Sequence, residues 1–176
     1  MARESKKKAR TKKSGDLSHY DREGRVRMVD VSAKPDTHRQ AIASVLVKMK
    51  PKTLMKIRKN PKGDPLEISR VAGIAAAKRT ADLIPLCHPL LLSHIDVRAE
   101  FCKNGISITA AVRSTGSTGV EMEALTGAAV AALTVYDMCK AADHEIEITQ
   151  LKLLYKSGGK SGEFRASKRA NLLLRH

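Results

Sequence analysis

Asp137 and Lys140 stand three residues apart, and on a helix that spacing puts them on one side, where the carboxylate can orient and polarise the ammonium. An ordinary surface ion pair is the commoner use of such spacing. Tyr136, Met138, Cys139 and Ala141 surround the pair, which argues for partial burial, the condition that moves a lysine pKa towards proton transfer. A second segment, Lys156-Ser157-Gly158-Gly159-Lys160-Ser161-Gly162, combines three glycines with two lysines. Backbone N–H groups can approach a phosphate closely there, and the lysines add charge. The spacing is not that of a P-loop, and a flexible linker is the plain alternative.

Three further clusters carry reactive types. Lys62-Gly63-Asp64 puts a cation on a tight turn. Pro85-Leu86-Cys87-His88-Pro89 holds His88 between two rigid residues, presenting an imidazole for proton transfer or phosphate bonding. Nothing around Cys87 marks it as a thiolate, so no covalent role follows from it. Glu121-Met122-Glu123 opens a helix, where its dipole alone accounts for two carboxylates.

The elements that must position these groups follow from apolar spacing. Ala41, Ala43, Val45, Val47 and Met49 alternate and predict a strand over 40–49, followed by a short helix over 51–59. Asn60 to Pro65 reads as a turn. Ile68, Val71, Ala72, Ala75, Ala76 and Ala77 have helical spacing within 66–83. Residues 94–102 and 106–113 alternate around Lys103-Asn104-Gly105 and predict a hairpin. Thr118 is a plausible cap for a helix over 119–142 with Val120, Leu125, Ala129, Ala132, Leu133 and Tyr136 inward. Ile146, Ile148, Leu151 and Leu153 make the last strand, over 145–154, while Arg27 to Val31 has only a short extended pattern. The expected class is α+β: a ferredoxin-like split βαβ domain, an antiparallel sheet with two main helices on one face.

Composition bounds the rest. With 176 residues, 42% hydrophobic content and no Trp, the chain can build one domain whose core is aliphatic and small, the kind that gains from oligomerising. The net charge of +15 is concentrated at the ends, with ten basic against four acidic residues between Met1 and Arg27. Residues 1–25 are expected to be a disordered basic tail, 26–164 the domain, and 165–176 a basic C-terminal tail. Three cysteines without CxxC spacing indicate neither a disulfide framework nor a zinc ribbon, and no other metal-ligand constellation is visible. No apolar run is long enough for a membrane span, and a cytoplasmic protein is expected.

Six blocks taken together, Met28 to Ser32, Ala75 to Thr80, Asp82 to Leu90, Thr118 to Thr126, Val135 to Ala141 and Lys156 to Gly162, closely resemble the molybdenum cofactor biosynthesis protein C family, the cyclic pyranopterin monophosphate synthases. The resemblance covers about residues 28–164, in the family's order and spacing. It implies a lyase that takes a cyclised dihydroguanosine triphosphate, made by a radical enzyme, to cyclic pyranopterin monophosphate with release of pyrophosphate. Asp137 matches the family's catalytic Asp, with Lys140 and Lys62 grouped with it. Leu86, Cys87 and His88, and Met122 and Glu123 beside Glu121, match substrate-binding segments, and Lys156 aligns with a family lysine, as do Lys78 and Lys160. A homohexamer built from dimers is implied, with the pocket between subunits. No resident cofactor is expected; whether a divalent cation travels with the triphosphate stays open.

The residues suit such chemistry, because displacing pyrophosphate needs cations on the leaving oxygens and reclosing purine-derived rings needs proton shuttling. Two other classes compete with it. A structural oligomer without catalysis would make the pocket residues dispensable. A basic nucleic-acid-binding protein would explain the tails by phosphate neutralisation, yet three Tyr and two Phe offer few stacking surfaces, so tail contacts to nucleic acid are not expected to be the function. Deleting Met1 to Arg27 separates these readings: we expect turnover to survive and any salt-dependent RNA or DNA binding to disappear in a filter-binding assay. Loss of turnover with intact nucleic-acid binding would favour the second class.

Overall fold

The computed structural model describes residues 18–21, 23–58 and 63–167. The alternation from Ala41 to Val47 produces strand β1 (Thr37–Lys48), which pairs antiparallel with a later strand on each side. Its inward set, Ala41, Ala43, Val45 and Val47, is wholly buried. Pro51 then starts α1 (Pro51–Arg58). The Asp64-Pro65 dipeptide, read from sequence only as the end of a turn, caps the next helix: the Asp64 carboxylate accepts the Leu66 amide at 2.8 Å. That helix, α2 (Pro65–Lys78), breaks at Arg79 and resumes as the single turn α3 (Thr80–Leu83).

Strands β2 (Leu92–Cys102) and β3 (Gly105–Gly116) form the expected hairpin around Lys103 and Asn104. Gly105 is required by proximity, since a Cβ there would lie 1.9 Å from the Val47 carbonyl oxygen. Helix α4 (Glu121–Cys139), β4 (Glu147–Ser157) and the two-residue β5 (Phe164–Arg165) complete the chain. The sheet order β2-β3-β1-β4-β5 is antiparallel throughout, so the chain is an α+β, ferredoxin-like split βαβ fold with one short added edge strand. The described residues up to Asp30 form a separate unit, in which Tyr20 and Val26 make a bridge; residues 27–31 form no strand.

Helices α2 and α4 lie on one sheet face and touch through small residues. A Cβ on Gly73 would stand 2.8 Å from the Gly127 carbonyl oxygen, 3.1 Å from the Ala131 methyl and 3.2 Å from a Val97 methyl. This close crossing overturns part of the sequence reading. The side of α2 that is buried is Pro65, Ser69, Gly73, Ala76 and Ala77, and Ile68 and Val71 face outward, Val71 with 65% of its surface exposed. Likewise Leu133 points out of α4, whose inward row is Ala124, Ala128, Ala131, Ala132 and Val135. Larger side chains would hold the two backbones apart.

Two other expectations are corrected. Thr118 does not cap α4: Val120 holds the N-cap position without a side-chain bond, and the Thr118 hydroxyl is buried and unpartnered. In β4 the register against β1 shifts twice and Gln150 adopts φ 56°, so the predicted alternation breaks and Leu151 is exposed while Leu154 is buried. The tail segments 1–17 and 168–176, and residues 60–62 of the expected turn, lie outside the described residues.

Gly73→Ala would gain roughly 1 kcal/mol of helix propensity. Against that, a methyl 2.8 Å from a backbone oxygen forces the helices apart at a cost of about 1–3 kcal/mol. We expect a lower melting temperature in thermal denaturation; an increase would mean that the crossing yields more easily than its contacts indicate.

Candidate active site

Where α2 ends, the chain has exposed carbonyls to satisfy, and Thr80 does so: its buried hydroxyl donates to the Ala77 carbonyl at 3.0 Å. The turn of α3 and the proline-bounded loop then bring His88 back against the first turn of α4. Between them lies a cleft of about 110 Å³ lined by Lys78, Arg79, Thr80, His88, Leu90 and Glu123, among others. Glu123 is only 4% exposed. Burial, and secondarily the charge of Glu121, raise its carboxyl pKa above the ordinary 4.5. Cys87 is raised too, mainly by burial and then by Glu123, which opposes a thiolate. Leu86 and Met122 flank these positions and are half-buried.

A second cluster lies at the same helix start. Lys156, on the last turn of β4, has its Nζ 3.3 Å from the Glu121 carboxylate and donates to the Ser161 hydroxyl at 2.7 Å. Gly158, Gly159 and Gly162 beyond it all have positive φ, a conformation that glycine adopts without a Cβ penalty. Arg39 was not found from sequence: it is an isolated cation on β1 with no motif around it. Its guanidinium donates to the Gly116 and Ser117 carbonyls at 3.2 Å each, and a Cβ on Gly159 would overlap it. It therefore ties the loop before α4 to the glycine turn. Arg79 and Thr80 were also missed; their signal was adjacency to Lys78 at a helix break.

Asp137 and Lys140 do form the pair their spacing predicts, at 2.7 Å. Their setting differs from expectation. Asp137 is 71% and Lys140 55% exposed at the side chain, and the bond from Asp137 raises the Lys140 pKa instead of lowering it. Fourteen residues of α4 separate Glu123 from Asp137, about 21 Å at 1.5 Å per residue. One chain thus gathers Lys78, His88 and Glu123 in a cleft, sets Glu121 with Lys156 beside it, and leaves Asp137 with Lys140 at the far end. Lys160 is exposed, and Lys62 lies outside the described residues. Among the described residues no group of three or more His, Cys, Asp or Glu is arranged to hold a metal ion, and no helix is long and apolar enough to cross a membrane.

A sequence model of the MoaC family matches residues 28–159. The chain belongs to the MoaC family. It is 56% identical over 153 residues to a protein of a Roseiflexus species, covering 85% of this chain and 97% of that one. It is 55% identical over 157 residues to one from Oleidesulfovibrio alaskensis, 87% and 99% covered, and 51% identical over 154 residues to one from Natranaerobius thermophilus, 84% and 96% covered. All three relatives are named cyclic pyranopterin monophosphate synthase. The MoaC match takes in both ends of α4, the His88 loop, Arg39 and Lys156, and stops one residue short of Lys160.

Glu123 makes a pH-dependent prediction for this MoaC chain. With its pKa raised, the folded state holds the proton more tightly than the unfolded chain, so ionisation at higher pH costs stability. Glu123→Gln should therefore melt at a higher temperature than the parent at neutral pH, and the difference should vanish as pH falls below about 4.5. A difference independent of pH, read by differential scanning calorimetry, would remove buried charge as its cause.

Proposed function

We propose that this chain is a cyclic pyranopterin monophosphate synthase, a phosphorus–oxygen lyase that converts the cyclised dihydroguanosine triphosphate to cyclic pyranopterin monophosphate and pyrophosphate in molybdenum cofactor biosynthesis. The observation that carries this is the near-complete coverage of proteins of that name at 51–56% identity, joined to a cleft in which lysine, histidine and a protonatable carboxylate converge. In this reading Lys78, Lys156 and Lys160 hold the triphosphate, with Lys62 and Arg39 near it, while Leu86, Cys87, His88, Glu121, Met122 and Glu123 receive the purine-derived part. Burial makes Glu123 hold its proton more tightly than an exposed carboxylate does, which suits it to a hydrogen-bonding place in the pocket. Asp137 and Lys140 move protons during ring opening and closure.

The geometry of one chain supports an assembled site. A cleft of about 110 Å³ is small beside the several hundred Å³ of ordinary ligand pockets, and the Asp137–Lys140 pair is a helix length away. A second subunit laying its own Asp137 end over the Glu123 end of the first would complete the pocket, bury the pair and raise its electrostatic worth. This is the arrangement expected of a homohexamer built from dimers, and the exposed apolar side chains Ile68, Val71 and Leu133 supply surface for such contacts. The rearrangement is redox-neutral, so the reading assigns no resident cofactor; a divalent ion would enter with the triphosphate. The enzyme would work in the cytoplasm, and the basic tails would lie outside its chemistry.

Incubation with the cyclised nucleotide tests the proposal through released pyrophosphate and the fluorescence of the oxidised pterin. Asp137→Asn and Lys140→Ala should each lose the chemical step, about a hundredfold or more in single-turnover rate, with substrate affinity retained. Near-normal rates would remove the pair from the mechanism. Lys156→Ala should instead weaken affinity for the triphosphate, about tenfold, and an unchanged affinity would argue against a phosphate-holding role.

A further inference from the structure

The end of α4 turns Asp137 and Lys140 to water, and the chain just beyond it is fastened. Lys140 and Ala142 close its last turn through amides bonded to the Tyr136 and Cys139 carbonyls at 2.8 and 2.9 Å. Asp143 follows at once and is buried. Its carboxylate spans two elements: one oxygen accepts the Thr53 hydroxyl at 3.0 Å and the Lys50 amide at 3.3 Å, and the other accepts the Glu145 amide at 3.0 Å.

Helix α1 has no acid in its own first turn, so Asp143 supplies the negative charge and the acceptor that a helix start requires, from ninety residues away in sequence. Thr53 is buried beside it. The bonds from the Glu145 and Lys50 amides and from Thr53 hold the Asp143 carboxyl below its ordinary range, so it stays ionised and all three acceptor contacts persist. Two surface ion pairs, Lys50 with Glu145 and Lys48 with Glu147, run parallel to it. Leu54 and Ile57 of α1 and Cys139 of α4 share the same buried core beneath.

We infer that Asp143, by capping α1 from the far end of α4, is a positioning residue for the Asp137–Lys140 pair. The inference rests on the reading of that pair as the proton-moving groups. An exposed helix end frays within its last turn unless something holds it. Here the last turn carries both reacting side chains, and the segment immediately after it is tied to α1, which is itself rooted in the core. Without the carboxylate, residues 137–142 lose their fixed exit and the pair samples wider geometry, which lowers the fraction of bound complexes aligned for transfer.

Asp143→Ala and Asp143→Asn are to be assayed as the full chain with the cyclised nucleotide, alongside Thr53→Val, which removes one bond from the carboxylate, and Thr53→Ser, which keeps it. The expected result is a kcat lowered by roughly tenfold to a hundredfold in the Asp143 variants with KM little changed. Thr53→Val should show a smaller loss in kcat and Thr53→Ser should restore it. Amide hydrogen exchange at 137–142 should speed up in the same order. If Asp143→Ala does not fold, the Thr53 pair decides. A kcat equal to the parent's with exchange at 137–142 unchanged overturns the inference, as does a lowered melting temperature with normal kcat. A parent chain that releases no pyrophosphate would instead sink the functional reading, and the exchange measurement would still decide whether Asp143 holds the helix end.

Discussion

The crossing of α2 and α4 is the constraint on which the remaining architecture turns. Two helices can lie this close only if the contact carries no side chain larger than a methyl, and Gly73 against Gly127 and Ala131 meets that condition. The sheet beneath is fitted to the same point, since Val97 touches Gly73, Ala110 touches Gly127, and the two are cross-strand partners. Gly127 is four residues past Glu123, and Gly73 five residues before Lys78. A separation introduced at the crossing would therefore open the cleft little more than one helical turn away. Packing and site are one mechanical unit.

Electrostatics at the start of α4 follows from that closeness. Two carboxylates sit where the helix dipole favours them, but they have different fates. Glu121 is met by Lys156 from β4, whereas Glu123 is turned into the cleft, where burial works against its charge. Burial thus makes Glu123 hold its proton more tightly than an exposed carboxylate does. The cations around the two acids, the adjacent Lys78 and Arg79 and the distant Lys156, come from two separate stretches of chain, a juxtaposition no short motif can supply.

The far end of α4 is organised by other means. It carries an exposed ion pair and, just behind it, a buried aspartate joining the helix exit to α1. The long helix acts as a rigid spacer between two chemically distinct ends. Subunits related by symmetry can use such a spacer twice, each giving one end to its neighbour.

Much of this was legible in the residues alone. The period of two in β1, the hairpin around Asn104-Gly105, the helical stretches and their order follow from local rules, because a strand or helix needs only its own apolar spacing and its turn residues to declare itself. The candidate residues of the cleft were legible as types: His88 between prolines, acids at a helix start, lysines among glycines. Which face each helix buries was not. Spacing cannot show that the partner is another helix at glycine distance, so Ile68, Val71 and Leu133 looked like core and proved to be surface. The exposure of Asp137 and Lys140, the register shifts in β4, the bracing by Arg39 and the reach of Asp143 to α1 belong to tertiary structure, because each joins residues far apart in sequence. The chain's local chemistry determined what the elements are; contact between elements decided which side chains meet.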